Sequence, residues 1–297
     1  MTNLTLKQLR YFTALAKHAH FGRAAEACAV SQPALSVQIR ELEQSLGMAL
    51  FERSTRLVRL TGFGEEFERR ATDILRSVDE LGDLARASRD GIAGQLRLGV
   101  IPTVAPYFLP RVLRVLNREY EGLELKIRET LTQTLISELL EGKLDAAIVA
   151  LPLAEPHLAE FALFDEEFVL IRPSAEKDLP VPAPDQLREM KLLLLEEGHC
   201  FRDQALAFCS YSPTASRELL DASSLSTLVQ LVGSGVGVTL IPEMAVPVET
   251  QSASVAVARF TDPPPLRSIG LAWRKSSSLA AQLERLAHIL RDDVQPD

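Results

Sequence analysis

Between residues 95 and 290 the chain alternates short, β-rich apolar runs with stretches whose apolar residues recur near helical spacing. That alternation confines this part of the chain to an α/β unit. The strand-like runs fall at 96–101, 123–128, 146–150, 168–171, 192–195, 236–241 and 269–273, and the helical patterns at 106–120, 131–142, 224–234 and 278–291. None of the apolar runs approaches the ~20 residues that cross a bilayer. The chain opens Met1-Thr2-Asn3-Leu4-Thr5, without a basic stretch leading into a long apolar one. No membrane association and a cytoplasmic location are therefore expected.

Charge divides the chain differently. Residues 1–62 hold eight Lys and Arg against four Asp and Glu, so the remainder of a chain whose net charge is −8 carries about −12. A small basic module is joined to a large acidic one. Between them, residues 63–90 place Phe67, Ala71, Ile74, Val78, Leu81 and Ala85 at alternating spacings of four and three. This spacing predicts one long helix with a coiled-coil seam used for dimerisation, with packing against its own module as the alternative.

Within the basic module, Phe21-Gly-Arg-Ala-Ala-Glu-Ala-Cys28 and the following Ala29-Val30-Ser31-Gln32-Pro33-Ala34-Leu35-Ser36 read as helix, tight turn, helix. Ser31 suits an N-cap, and Pro33 is tolerated in a first turn that has no intrahelical donor to lose. Leu35, Ile39, Leu42 and Leu46 recur at helical spacing and should face a small core. The opposite face presents Gln32, Ser36 and Arg40 at intervals of four, side chains that read base edges or grip phosphates in a major groove. After Gly47, Arg53, Arg56 and Arg59 fall on a two-stranded wing and suit phosphates or an adjacent minor groove, although an arginine on a hairpin is often only solvated.

The motifs Ala24-Ala25-Glu26, Ser31-Gln32-Pro33-Ala34-Leu35-Ser36, Ile39-Arg40-Glu41-Leu42-Glu43 and Leu60-Thr61-Gly62-Phe63-Gly64, within residues 9–64, resemble the winged helix-turn-helix of LysR-type transcription regulators. The resemblance extends to the whole layout. It implies an N-terminal all-α winged helix-turn-helix DNA-binding domain at 1–62 and a linker and dimerisation helix at 63–90. At 91–297 it implies an α/β effector domain with two lobes, similar to periplasmic binding proteins. The implied DNA-binding set is Ser31, Gln32, Pro33, Ser36, Arg40, Arg53, Arg56 and Arg59. The implied partners are double-stranded DNA, RNA polymerase and further copies of the chain in a homo-tetramer, a dimer of dimers on successive half-sites. Val37 stands where many members carry a basic residue.

The acidic module carries Glu196-Glu-Gly-His-Cys-Phe-Arg-Asp-Gln-Ala-Leu-Ala-Phe-Cys209 after an apolar strand that Gly198 ends. Cys200 therefore falls near a helix start, where free backbone N–H groups favour a thiolate, and His199 and Arg202 are expected to add positive charge. Cys200 and Cys209 are nine positions apart, roughly 13 Å in a continuous helix, whereas a disulfide needs Cα atoms within about 7 Å. A bridge between them requires the helix to unwind. The competing reading is that both are small buried core residues, which is also the expectation for Cys28.

Gly198-His199-Cys200-Phe201-Arg202-Asp203-Gln204 with Phe208-Cys209 is similar to the redox segment of peroxide-sensing members of the LysR family, as are Ile101-Pro102-Thr103 and Phe164-Asp165-Glu166. By that resemblance hydrogen peroxide is the signal, Cys200 is the peroxidatic thiol and Cys209 the resolving one. Thr103, Thr132, His199, Gln204 and Arg267 would surround the peroxide and stabilise the leaving hydroxide.

Gly233-Ser-Gly-Val-Gly237 mimics a phosphate loop but lies after a helix and before a strand, so a turn is expected. The five histidines and three cysteines show no close metal spacing, and neither metal nor cofactor is expected. Three functions remain in play: a redox-switched regulator, a regulator switched by a small organic effector between the lobes, and a cysteine peroxidase. The basic module disfavours the third and the paired cysteines the second.

Overall fold

Each short helix of the N-terminal unit is started by a side chain that satisfies its free amides. In the computed structural model, which describes residues 4–53, 58–87, 94–187, 189–208, 220–260 and 264–294, Thr5 and Gln8 form a reciprocal capping box at the head of α1 (Leu6–His18). His20 caps α2 (Phe21–Ala27), its Nδ1 accepting from the amides of Gly22 and Arg23. Ser31 caps α3 (Gln32–Leu46), which ends at Gly47 with φ of 66°. Leu35, Ile39 and Leu42 are fully buried against Phe12 and Leu15 of α1. Leu46, the fourth residue expected in that row, is only partly buried beside them.

The wing is an antiparallel pair, β1 (Phe51–Arg53) and β2 (Val58–Leu60), with Phe51 opposite Leu60. Glu43 Oε1 accepts from the amides of Leu50 and Phe51, which fastens the wing to α3. Thr61 Oγ1 donates to Ala49 O at 2.8 Å and accepts from the Gly64 amide at 2.9 Å, opening α4 (Gly62–Ala87). A Cβ on Gly64 would lie 2.2 Å from the Leu50 carbonyl oxygen, so only glycine lets α4 approach the wing this closely.

The seam expected along α4 is divided. Phe67 meets Phe12 edge to face at 5.0 Å and Ala71 is buried, so both belong to the core of their own unit. Ile74 and Leu81 expose 46% and 66% of their surface and remain open to a partner.

Residues 85–297 form the second unit. Strand β3 (Gln95–Val100) leads into α5 (Ala105–Glu119), then β4 (Glu124–Glu129), α6 (Thr132–Leu140), β5 (Ala146–Leu151) and β6 (Leu158–Pro173). The short α7 (Pro184–Leu187), β7 (Leu192–Leu195), α8 (Cys200–Phe208) and β8 (Leu220–Ala222) follow. The chain closes with α9 (Leu225–Gly233), β9 (Val238–Pro242), α10 (Val246–Glu249), β10 (Val255–Arg259), β11 (Leu266–Arg274) and α11 (Ala280–Val294). The strand order is β4-β3-β5-β11-β6-β9-β7-β8, with β10 also on β6.

Strand β6 carries the chain from one lobe to the other. Its first part, Leu158 to Glu167, pairs with β11, and its last part, Phe168 to Pro173, pairs with β9 and β10. Two separate apolar cores result, one around Leu98, Ile148, Leu271 and Leu286, the other around Leu170, Leu193, Val229 and Ile241. Only 168–171 of β6 is legible as a strand in the sequence. The preceding part buries alternate residues irregularly, because a register shift at Ile269/Gly270 of β11 breaks its period of two. Among the described residues no helix is long and apolar enough to cross a membrane.

Replacing Gly64 with alanine is expected to destabilise the N-terminal unit by about 1–3 kcal/mol through overpacking against Leu50. Thermal unfolding followed with an N-terminal probe checks this; an unchanged melting temperature would contradict the close-approach account.

Candidate functional site

The residues of β7 are all buried, and beyond it Gly198 takes φ of 96°, turning the chain into α8 with Cys200 as its first residue. Consecutive side chains then face different cores: Cys200 packs against the first lobe, whereas Phe201 is buried in the second. Cys200 thus sits where the two lobes meet. It lines a tight, partly open recess with His199, Ile101, Pro102, Thr103, Leu131 and Thr132, which leaves no room for a water-sized molecule in this conformation. Drug-sized organic ligands need about 300–1,000 Å³, so the recess as it stands does not admit one.

Two helices begin at the recess, because Thr132 is the first residue of α6 as Cys200 is of α8. No side chain caps α6, so its unpaired first amides favour negative charge there, and the start of α8 adds the positive end of a second helix dipole. The sequence reading identified the α8 contribution but not that of α6, since nothing in the order of residues reveals that the two helix starts converge.

Of the five residues expected around the peroxide, Thr103, Thr132 and His199 line the recess and Gln204 and Arg267 do not. Thr132 Oγ1 is buried with no partner among the described residues, and so is Oε1 of Gln204, one turn beyond Cys200 on α8. Such orphans are uncommon in folded proteins. Thr103 Oγ1 accepts from Arg267 Nη1 at 2.9 Å, and the Arg267 Nη2 donates to Thr103 O at 3.1 Å. Arg267 is buried and ion-paired with Glu166 at 2.7 Å.

The structure corrects one electrostatic expectation. Burial holds the His199 imidazole below its usual pKa, with Glu196 opposing, so the ring favours the neutral form rather than adding positive charge beside Cys200. Arg202 donates to Leu195 O and pairs with Asp221 at 2.6 Å, which commits its charge elsewhere. Cys209 lies outside the described residues. Cys28 is half-buried at the end of α2, with its thiol pKa pushed up by burial.

In the N-terminal unit, Ser31, Gln32, Pro33 and Arg40 are exposed along α3 and Ser36 is half-buried, with Ser31 Oγ engaged in capping Ala34 N. Arg59 is exposed on β2, Arg53 is on β1, and Arg56 lies outside the described residues. Val37, on the same helix, is 45% exposed.

Two families match in sequence. Residues 6–65 match the bacterial regulatory helix-turn-helix proteins of the lysR family, and residues 89–295 match the LysR substrate binding domain. The chain belongs to the LysR family. This LysR-family chain combines an N-terminal helix-turn-helix domain with a two-lobed α/β effector domain. It is 47% identical over 298 residues to a probable hydrogen peroxide-inducible genes activator of Streptomyces viridosporus, covering 98% of this chain and 95% of that protein. It is 40% identical over 292 residues to the DNA-binding transcriptional dual regulator OxyR of Escherichia coli K12, covering 97% and 95%. Among solved structures, a hydrogen peroxide-bound OxyR mutant of Corynebacterium glutamicum matches with a TM-score of 0.66 and 38% identity, over 97% of this chain and 92% of that one. Among the described residues no cluster of His, Cys, Asp and Glu is arranged to hold a metal.

A histidine whose folded pKa lies below its unfolded value near 6.5 contributes stability above that value and loses it as pH falls through the folded pKa. Stability of the effector domain is expected to decline on acidification below about pH 6.5, and His199→Gln to remove that component. Denaturant melts between pH 7 and pH 5 check this, and identical slopes for the two proteins would overturn it.

Proposed function

We propose that this chain is a DNA-binding transcription regulator that senses hydrogen peroxide through Cys200, with Cys209 as the resolving thiol. The observation that carries this reading is the placement of Cys200 at the start of α8, in a small recess where a second helix also begins and where the buried Thr132 hydroxyl has no partner among the described residues. The recess supplies the groups that peroxide reduction needs once its walls part to admit the substrate. Partial positive charge at two helix starts faces the negative charge that develops on the departing oxygen, and the Thr103 and Thr132 hydroxyls of the wall can hydrogen-bond to oxygen. Thr103, Thr132, His199, Gln204 and Arg267 form the proposed peroxide-binding set.

The chemistry runs in two steps. The Cys200 thiolate attacks one peroxide oxygen, the O–O bond breaks, and the leaving hydroxide takes a proton to become water while Cys200 becomes a sulfenic acid. The Cys209 thiol then displaces the sulfenic oxygen, forming an S–S bond and releasing a second water. Two thiols supply the two electrons, so one chain consumes one peroxide until an external thiol reductant resets it. This is a stoichiometric sensor rather than a turnover enzyme.

Helix geometry turns that reaction into a shape change. The nine residues of α8 run from Cys200 to Phe208, a span of about 12 Å at ~1.5 Å per residue. A thiol at the next position reaches Cys200 only when α8 unwinds, because disulfides need Cα atoms within about 7 Å. Refolding of α8 at the junction of the lobes is the proposed signal to the DNA-binding domain. There, Ser31, Gln32, Pro33, Ser36 and Arg40 would face double-stranded DNA, with Arg53, Arg56 and Arg59 of the wing on the backbone. A homo-tetramer built as a dimer of dimers, contact with RNA polymerase and a cytoplasmic location complete the reading. The exposed Ile74 and Leu81 of α4 suit such assembly.

Titration with one equivalent of peroxide is expected to remove two free thiols per chain and alter the DNA footprint; unchanged thiols would overturn the reading. Cys200→Ser is expected to abolish the footprint change while DNA binding persists. Cys209→Ser is expected to retain sulfenic acid formation at Cys200, read by dimedone labelling, and a loss of labelling would contradict the division of roles.

A further inference from the structure

Strands β6 and β11 pair in a register that sets Glu166 directly opposite Arg267, at the point where β6 passes from one lobe to the other. The two side chains are 5% and 0% exposed. Arg267 Nε donates to Glu166 Oε2 at 2.8 Å and Nη2 lies 2.7 Å from the same oxygen. The other carboxylate oxygen accepts from the Met244 amide at 3.0 Å, so Glu166 is held from the second lobe as well. The guanidinium lies over the Phe201 ring, 5.2 Å from its centroid, which fixes the plane of the fork.

The consequence falls on Thr103. A guanidinium has donors only, so the Nη1–H directed at Thr103 Oγ1 occupies a lone pair of the hydroxyl. The hydroxyl's own proton is then directed away from Arg267, and no described residue is recorded as accepting it. Thr103 forms part of the recess wall with Cys200. Were the guanidinium free to turn, the hydroxyl could rotate and present a lone pair to the recess instead.

We infer that Glu166 is a positioning residue: by fixing Arg267 it keeps the Thr103 hydroxyl oriented as a hydrogen-bond donor toward oxygen bound at Cys200. This rests on the peroxide-sensing reading given above. Glu166 lines no part of the recess and touches no reacting atom; its effect passes entirely through the guanidinium and the hydroxyl.

The test compares two reactions of the same thiol in the full-length reduced protein. Oxidation of Cys200 by hydrogen peroxide needs a donor for the departing oxygen, whereas alkylation by iodoacetamide needs only the thiolate. Removing an oriented donor lowers such rates by about 10²–10³-fold. A donor that is misdirected rather than deleted should lower the peroxide rate about tenfold, with alkylation changed less than about twofold. Glu166→Gln is the primary variant, and Glu166→Asp, which keeps the charge but shortens the arm, carries the test if the first does not fold. Thr103→Val should lower the peroxide rate at least as far, and adding Glu166→Gln to it should lower it no further.

Wild-type peroxide rates in the Glu166 variants would overturn the inference. So would a parallel fall in both reactions, or rate losses that multiply in the double variant. If the wild-type protein itself does not react with peroxide at Cys200, it is the sensing reading that fails, a result separate from any comparison among variants.

Discussion

A guanidinium without solvent exposure must find every partner within the fold, and the arrangement of the effector domain follows from how Arg267 does so. Its charge is met by Glu166 across the strand pair, two of its donors by Thr103, and its face by Phe201. Breaking a buried pair of this kind costs about 3–5 kcal/mol, mostly because the surviving charge is left uncompensated. Such a pair adds little net stability over apolar packing. What it does is fix geometry where the two lobes meet, since the pair joins β6 to β11 and its partners come from the loop after β3, the turn after β9 and the start of α8.

Around this junction the two cores come within one peptide bond of each other. Cys200 packs on the first lobe and Phe201 on the second, so any change that rotates or unwinds the start of α8 is felt in both. Close-packed interiors have few intermediate arrangements. A local covalent change there tends to switch the packing from one state to another rather than deform it gradually. Tyr107 of the first lobe donates to Glu249 of the second at 2.6 Å and offers a second place where the lobes are held in register. The Tyr107 hydroxyl is kept protonated by burial and by that carboxylate.

Much of the architecture was legible in the order of residues because it rests on local rules. The cap at Ser31, the helix-turn-helix that follows from it and the buried row Leu35, Ile39 and Leu42 are each set by a few neighbouring positions. The placement of Cys200 at a helix start followed in the same way from Gly198 and the apolar run before it. Less was legible where long-range packing decides. The first half of β6 alternates irregularly and β8 and β10 are only three and five residues long, so none stands out, and they become strands because neighbours complete their hydrogen bonds. The seam of α4 read as continuous, yet Phe67 and Ala71 are claimed by their own domain's core.

The sequence by itself determined the two-part division of charge, the helix-turn-helix, the alternating α/β pattern and the nine-residue separation of Cys200 from Cys209, because periodicity, capping and spacing are properties of neighbouring residues. Only the tertiary structure decided that α6 and α8 begin at one recess, that Arg202 is committed to Asp221, that His199 favours its neutral form, and that Glu166 stands behind Thr103. Those facts depend on burial and on pairings between residues a hundred or more positions apart, Glu166 with Arg267 and Arg267 with Thr103 among them. Burial and distant pairing set the protonation and direction of a polar group, and neither is written in local sequence.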